Sequence, residues 1–215
     1  MKIQRILGAM VAVLLVALFI VSTGSNVRAQ ASSQQQPEVK EDETNLDTQL
    51  FLIVATNNSI NDEKLPASLD GVVKQLRASL PFKNYKLAAT LINRVKNEGR
   101  LDLSWVGGPL VAPAGLSSQA TPSFSNFKVR QVKVVRNSSG DSMVQMIGFN
   151  FGARIPIQVG PMAVNGGVPA TNYENTGLST DISIREGEPV VVGTLNVGPS
   201  GDAIILVVAA RRTTR

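Results

Sequence analysis

The stretch that decides the fold is Pro189–Ala210, which reads PVVVGTLNVGPSGDAIILVVAA. Two runs rich in valine, isoleucine and leucine flank the polar turn Gly198–Asp202, as is typical of two antiparallel strands joined by a hairpin. The second run, Ala203–Ala210, contains no polar side chain. The sequence therefore predicts a C-terminal β-hairpin that ends in a strongly apolar strand.

Alternating patterns upstream of this hairpin predict further antiparallel strands. Phe127–Arg136 alternates as one strand, and the returning strand Met143–Phe151 carries Gly148 and Gly152 as expected β-bulges. The remaining predicted elements are the turn Asn137–Asp141, a short strand extension at Ile155–Val159, a Gly/Pro/Asn-rich loop over 160–175, and a strand over Leu178–Arg185. We interpret 123–212 as an antiparallel β domain, separated by a Gly/Pro-rich loop over 107–122 from what precedes it.

A smaller block over 48–106 precedes that loop. Leu50–Ala55 is a short apolar run typical of a buried strand, and Tyr85–Val95 predicts a second strand. Between them, the helical spacing of apolar residues predicts one helix that ends before Pro81. A further strand is expected at Arg100–Trp105. The predicted fold class is α+β, with an N-terminal β-α-β unit followed by a mostly antiparallel, hairpin-rich β domain.

The N-terminal 29 residues are typical of an export signal. Lys2 and Arg5 precede the uninterrupted apolar and small-residue run Ile6–Val21, and Val27-Arg28-Ala29 matches the small-x-small pattern of signal peptidase. This predicts cleavage between Ala29 and Gln30; the alternative is a retained N-terminal membrane anchor. Either outcome places the chain outside the cytoplasm, in the periplasm or at the outer-membrane periphery of a Gram-negative-type bacterium. Residues 30–47 are rich in Gln, Ser and Glu and predict a disordered polar linker.

The composition excludes several classes of chemistry. The 215 residues include no His and no Cys, which removes Ser-His-Asp and Cys-His catalysis, disulfides and zinc sites of the Cys/His type. We predict a non-enzymatic protein with no catalytic residues, no cofactor and no metal. The formal net charge of +5 falls to +2 when residues 1–29 are removed, so nothing favours nucleic acid as a partner.

The segment Thr180–Leu195 resembles the late core of a bacterial secretin domain. That family has a Thr-x-Val-x-Val strand, a turn of Asp/Glu-Gly-Glu/Gln, and a second strand of the type Val-Val-Ile-Gly-Gly. The second family glycine is replaced here by Thr194, and the strand pattern around 127–159 is compatible with the family's preceding strands. The residues that carry the resemblance are Arg185, Glu186, Gly187, Glu188, Val191 and Gly193.

The resemblance implies a role in assembly. Secretins form gated rings in the outer membrane, through which folded proteins or filaments pass. The mature length is short for a complete secretin, so we expect a secretin-like accessory or secretion-associated protein that acts by protein–protein contacts or self-association. Association with the outer membrane would follow from the same resemblance.

Two alternatives remain open from the residues alone. A monomeric β-sandwich could bind a surface polymer or a peptide through an aromatic platform, although core packing is the simpler role for the aromatic residues concerned: Phe82, Tyr85, Trp105, Phe124 and Phe127. An enzyme would need a converging cluster of Asp, Glu, Lys or Ser. Glu186 and Glu188 are conceivable as a glycosidase pair, but two carboxylates on one tight turn are normally solvated.

Overall fold

The computed structural model describes residues 44–58, 65–108, 110, 121–158, 171–198 and 201–213. All of them belong to one compact unit, Asp42–Arg215. The elements in chain order are β1 (Asn45–Thr56), a 3₁₀ turn (Ala67–Leu69), α1 (Asp70–Ser79), β2 (Asn84–Lys96), β3 (Leu101–Gly107), β4 (Ser123–Val129), β5 (Gln131–Arg136), β6 (Ser142–Gln158), β7 (Thr171–Arg185), β8 (Val190–Val197) and β9 (Asp202–Arg212).

The strands form two sheets in which every pairing is antiparallel. Sheet A has the order β2-β1-β9-β8. In sheet B the order is β3-β4-β6-β5, and β7 pairs with β6. The predicted class, mostly antiparallel β with one short helix, is confirmed. In the N-terminal part, β1 and β2 are antiparallel neighbours and α1 lies between them in the chain.

The two central strands of sheet A, β1 and β9, are apolar on both faces because each face packs against another layer. They pair from Leu46 opposite Arg212 to Ala55 opposite Ala203. Leu50–Thr56 of β1 and Asp202–Val208 of β9 are buried without interruption. A strand that is covered on both sides needs a continuous apolar run instead of alternation, which explains the composition of Ala203–Ala210.

The larger hydrophobic core lies between the two sheets. Sheet A contributes alternate residues of its central strands, such as Leu50 and Leu206, and sheet B contributes a row of phenylalanines. The rings of Phe127 and Phe149 lie 5.2 Å apart, centroid to centroid, in a tilted arrangement. This geometry is favourable for aromatic quadrupoles and adds to the area that these rings bury.

The opposite face of sheet A is covered by α1. Val72 and Leu76 of the helix pack against a second cluster that contains Phe51, Ile53 and Ile205. The molecule thus has three layers, in the order helix, sheet A and sheet B, and sheet A is the shared middle layer.

Each sheet takes strands from both of the blocks that the sequence suggests. Sheet A joins β1 and β2 to β8 and β9, whereas sheet B joins β3 to β4–β7. β1 begins at Asn45 with Leu46 fully buried, so the strand extends into the stretch assigned to the polar linker. The signal segment 1–29, with Ala29 and Gln30, lies outside the described residues, as do most of the loops predicted over 107–122 and 160–175.

Two details of sheet B differ from the sequence expectation. The segment expected as one strand over 127–136 divides at Arg130 into β4 and β5, and the loop expected up to Asn175 is already strand from Thr171. The division at Arg130 arises because the partner strand β6 has a bulge at Ile147 and Gly148, where Gly148 has a φ of +64°. Before the bulge the even-numbered residues of β6 face the core, and after it the odd-numbered residues do.

The prediction of a bulge at Gly148 is therefore confirmed, whereas the one at Gly152 is wrong. Gly152 stays in regular register opposite Asn126. The space left by its missing side chain is instead occupied by the Asn126 amide, to which a Cβ at position 152 would approach within 3.0 Å.

We expect Leu206→Ala to lower the free energy of unfolding by about 2–5 kcal/mol, because it removes a fully buried side chain from the middle of β9. Ile92→Ala is the matched control, since Ile92 is 68 % exposed on the edge strand β2, and it should change stability by less than about 0.5 kcal/mol. Urea denaturation of the full-length chain followed by circular dichroism measures both. Equal effects of the two substitutions would contradict a central position of β9.

Candidate functional site

The residues that carry the secretin resemblance form the crossing between the two sheets. Arg185 is the last residue of β7 in sheet B, and Val190 is the first residue of β8 in sheet A. The chain reverses between them in a tight turn, Arg185–Glu188, which we call the corner turn. Gly187 has a φ of +82° there, a conformation that a Cβ would resist.

The corner turn is bonded to the end of β9 and to the start of β6. The Glu186 carboxylate accepts hydrogen bonds from the backbone N–H of Arg212 at 2.8 Å and from its Nε at 3.0 Å. The Arg212 Nη2 lies 2.9 Å from Glu186 Oε2 and donates to the Ser142 hydroxyl at 3.1 Å. The Gly187 N–H donates to the Ala210 carbonyl at 2.8 Å. This turn therefore ties sheet B to the last residues of sheet A.

The electrostatics of the corner turn follow from this bonding. The Arg212 guanidinium, through its hydrogen bonds to Glu186, holds the pKa of that carboxyl below its usual value, in spite of partial burial. Arg185 and Glu188 form a second pair, 3.1 Å between Nη1 and Oε2, with both side chains more than half exposed. A solvated pair of this kind contributes little to stability.

Val191 and Gly193 position β8 against the neighbouring strands. Val191 packs against the cluster beneath α1, and β8 has a bulge between these two residues where it pairs with β9. A Cβ on Gly193 would lie 2.8 Å from Cδ2 of Leu178 in β7, so the glycine gives β7 and β8 room to cross. All six motif residues thus lie at one crossing between the sheets. The contacts described for them are hydrogen bonds, an ion pair and packing within the fold.

Sequence reasoning missed the partners of the corner turn. Neither Arg212 nor Ser142 belongs to a motif in the sequence, yet Arg212 donates to the Glu186 carboxylate and the Ser142 carbonyl accepts from the Glu186 N–H. The only signal in the sequence was an arginine directly after the final apolar strand. Since Glu186 and Arg212 lie far apart in the chain, no local pattern links them.

Sheet B has two outer edges that no strand of the described part of the chain pairs with. One is β3 and the other is the 15-residue strand β7. The exposed edge of β5 is different, because the turn at 97–99 bonds to it: the Glu98 N–H donates to the Val132 carbonyl, and the Val132 N–H donates to the Gly99 carbonyl, both at 2.8 Å. Neither β3 nor β7 contains a proline that would block the addition of another strand.

The aromatic residues considered for a binding platform do not come together. Phe127 lies in the core between the sheets, and Tyr85 lies beneath α1. Trp105 packs towards Phe151, with ring centroids 6.4 Å apart. Phe124 alone among the five is a largely exposed aromatic, at 44 %. Core packing therefore holds for Tyr85 and Phe127, and the five-residue platform is wrong.

The described residues, 44–58, 65–108, 110, 121–158, 171–198 and 201–213, contain neither a membrane-spanning helix nor a metal-binding cluster. Within these ranges, no helix combines the length and the apolar character needed to cross a membrane. In the same part of the chain, no three acidic side chains converge in an arrangement that could hold a metal ion.

Comparison with known proteins finds similarity among solved structures only. No protein-family model matches the chain, and no curated protein matches it. The similar structures include the secretin-domain β-barrel of InvG from the Salmonella SPI-1 injectisome, with 10 % identity over 80 % of this chain and 64 % of that one, at a TM-score of 0.34.

Two other secretin structures are similar to the same extent. The V. cholerae type IV competence pilus secretin PilQ has 9 % identity over 80 % of this chain and 58 % of its own, with a TM-score of 0.31. The Klebsiella pneumoniae type II secretion system outer membrane complex, with PulD, PulS and the PulC HR domain, has 13 % identity over 80 % of this chain and 39 % of its own, with a TM-score of 0.33. The chain spans less than two thirds of each.

We expect Glu186→Gln to lower the free energy of unfolding by about 1 kcal/mol at pH 7, because a neutral amide bonds more weakly to Arg212. Because the pKa of Glu186 is lowered in the folded state, the unmodified chain has its full stability advantage over the variant above the ordinary carboxyl pKa. This advantage disappears as the pH falls through the pKa that Glu186 has in the folded state. Denaturation curves at several pH values measure this difference. Glu188→Gln, which changes an exposed ion pair, is the control and should lower the free energy of unfolding by less than about 0.5 kcal/mol. A stability difference between Glu186→Gln and the unmodified chain that grew towards acid pH would contradict the role of Glu186.

Two glycine-to-alanine substitutions should act in opposite directions. Gly187→Ala forces a Cβ into the left-handed region and should destabilise the chain by about 1 kcal/mol. Gly71→Ala lies in α1 with no atom within 4 Å of the added Cβ, so it should stabilise by up to about 1 kcal/mol. Thermal unfolding of both variants tests the pair, and a neutral Gly187→Ala would show that the turn tolerates a side chain.

Proposed function

We propose that the chain is an exported, non-enzymatic component of the bacterial cell envelope that self-associates through the edges of sheet B, in a secretion-associated assembly. The observation that carries the proposal is that, among the strands that the structure describes, none pairs with the outer edge of β3 or of β7. The resemblance of the 180–195 segment to secretins supports the secretion-associated role.

The two open edges are suited to head-to-tail association. A strand at a sheet edge presents unpaired N–H and C=O groups, and another strand satisfies them when it is added there. Because β3 and β7 are different strands on opposite sides of one sheet, a contact that pairs β3 of one copy with β7 of the next is heterologous. Such contacts produce a closed ring when the rotation between copies closes, and a filament otherwise.

The corner turn supports this role by holding β7 in place. Glu186 and Gly187 bond the turn after β7 to Arg212 and Ala210 of β9, so the edge strand is fixed to the buried centre of sheet A. A pre-organised edge loses less conformational freedom on association than a flexible one. The export signal at 1–29 supports an envelope location, in the periplasm or at the outer-membrane periphery.

The native mass of the full-length chain, measured by light scattering after size-exclusion chromatography with and without mild detergent, tests self-association. We expect a discrete oligomer of several copies, with a concentration-dependent mass. The double variant Ser179→Lys and Ser183→Lys places two cations on β7 and should convert the oligomer to a monomer, because inserted lysines discourage edge pairing.

The matched control is Gln75→Lys with Ser79→Lys, which adds the same two charges to exposed positions of α1 and should leave the mass unchanged. A monomer for the unmodified chain under all conditions would overturn the proposal. Equal loss of the oligomer in both double variants would show that net charge, not the β7 edge, controls association. A monomer that binds a peptide or polymer would favour the alternative β-sandwich binding module.

A further inference from the structure

A groove crosses the outer face of sheet B, perpendicular to the strands. Its volume is about 490 Å³. The register pairs Phe124 with Arg154 and Arg154 with Asn175, which forms one wall across three strands. Ser104 and Asn126, which are paired across β3 and β4, form the opposite wall. Asn126 lies two residues after Phe124 in β4. Residues two apart in a strand share a face, so both walls project to the same side of the sheet.

The floor of the groove is the sheet backbone between the walls. Ser125 and Ala153, which lie between the two rows, point inward and are 5 % exposed. Gly152 lies in the same row as Asn126 and leaves the space that the Asn126 amide occupies, because a Cβ at position 152 would come within 3.0 Å of that amide. The glycine thus accommodates that amide within the wall, which explains why a strand interior contains a residue with low β-propensity.

Arg154 is held in position by an aromatic support. Its guanidinium carbon lies 4.8 Å from the centre of the Tyr173 ring, and the Tyr173 hydroxyl donates to the Pro122 carbonyl at 3.1 Å. A guanidinium in a cation–π contact with a ring can still donate hydrogen bonds through its N–H groups. Among the residues that the structure describes, no carboxylate lies within ion-pair distance of Arg154.

The groove combines three kinds of contact. The Phe124 ring, 44 % exposed and 6.0 Å from the Tyr173 ring, offers apolar surface. Asn126, Asn175 and Ser104 offer amide and hydroxyl groups that both donate and accept. Arg154 offers a fork of donors that fits a carboxylate, and none of the lining residues is acidic.

We propose that this groove binds an acidic saccharide, one whose sugar rings bear carboxylate groups. A saccharide has apolar ring faces for Phe124, hydroxyls for the amides and a carboxylate for Arg154. A peptide strand fits less well, because the backbone groups of the floor are already paired within the sheet and strand addition needs free ones. The groove crosses four strands and is therefore about 14 Å long, enough for more than one sugar ring.

Isothermal titration of the full-length chain in mild detergent tests the site, with trigalacturonate as the probe and maltotriose as the neutral saccharide of the same number of rings. We expect saturable binding of trigalacturonate and at least about tenfold weaker binding of maltotriose, because only the former has carboxylates for Arg154. Arg154→Gln and Phe124→Ala should each weaken trigalacturonate binding by about tenfold or more.

Two control variants separate the groove from general effects of charge and apolar surface. Arg136→Gln removes an exposed arginine from β5, and Ile92→Ala removes an exposed apolar side chain from sheet A; both should stay within about twofold of the unmodified chain. Circular dichroism confirms that each variant is folded. Absence of saturable binding, equal binding of both saccharides, or equal loss in Arg136→Gln and Arg154→Gln would overturn the proposal. The oligomeric state is measured separately, so this site and the assembly role can fail independently.

Discussion

The pairing of β1 with β9 is the constraint on which the rest of the structure depends. These strands form the centre of sheet A and bury both faces, one against sheet B and one against α1. Burial of apolar area is the main stabilising term in a domain of this kind, and both outer layers bury apolar side chains against this pair. Removal of the β1–β9 pair would leave the helix and sheet B without a shared partner.

The corner turn connects this centre to the surface that the proposed assembly uses. Arg212 is the last residue of β9 in register with β1, and its guanidinium and backbone N–H both bond to Glu186. The edge strand β7 ends one residue before Glu186. The same arginine therefore completes the middle sheet and fixes the end of an edge strand in the other sheet.

The parts that sequence reasoning predicted correctly are those with local signals. The hairpin of β8 and β9 has two apolar runs around a Gly-rich turn, and the bulge at Gly148 has a glycine inside a strand. The division at Arg130 was hidden because its cause lies in the partner strand β6. The groove was hidden for a similar reason, since residues such as Phe124 and Arg154 are neighbours only across strands. Contacts between sheets, and rows of side chains that run across neighbouring strands, produce no periodic pattern within a single segment of the sequence.

The long separation in sequence between β1 and β9 has a consequence for the order of folding. β1 pairs with residues that lie roughly 150 to 170 positions further along the chain. When the chain is delivered N-terminus first, by a ribosome or by a translocation channel, the middle layer stays open until Asp202–Arg212 has emerged. Such high contact order slows folding. The central pair of the middle layer therefore forms only after β9 is available to β1.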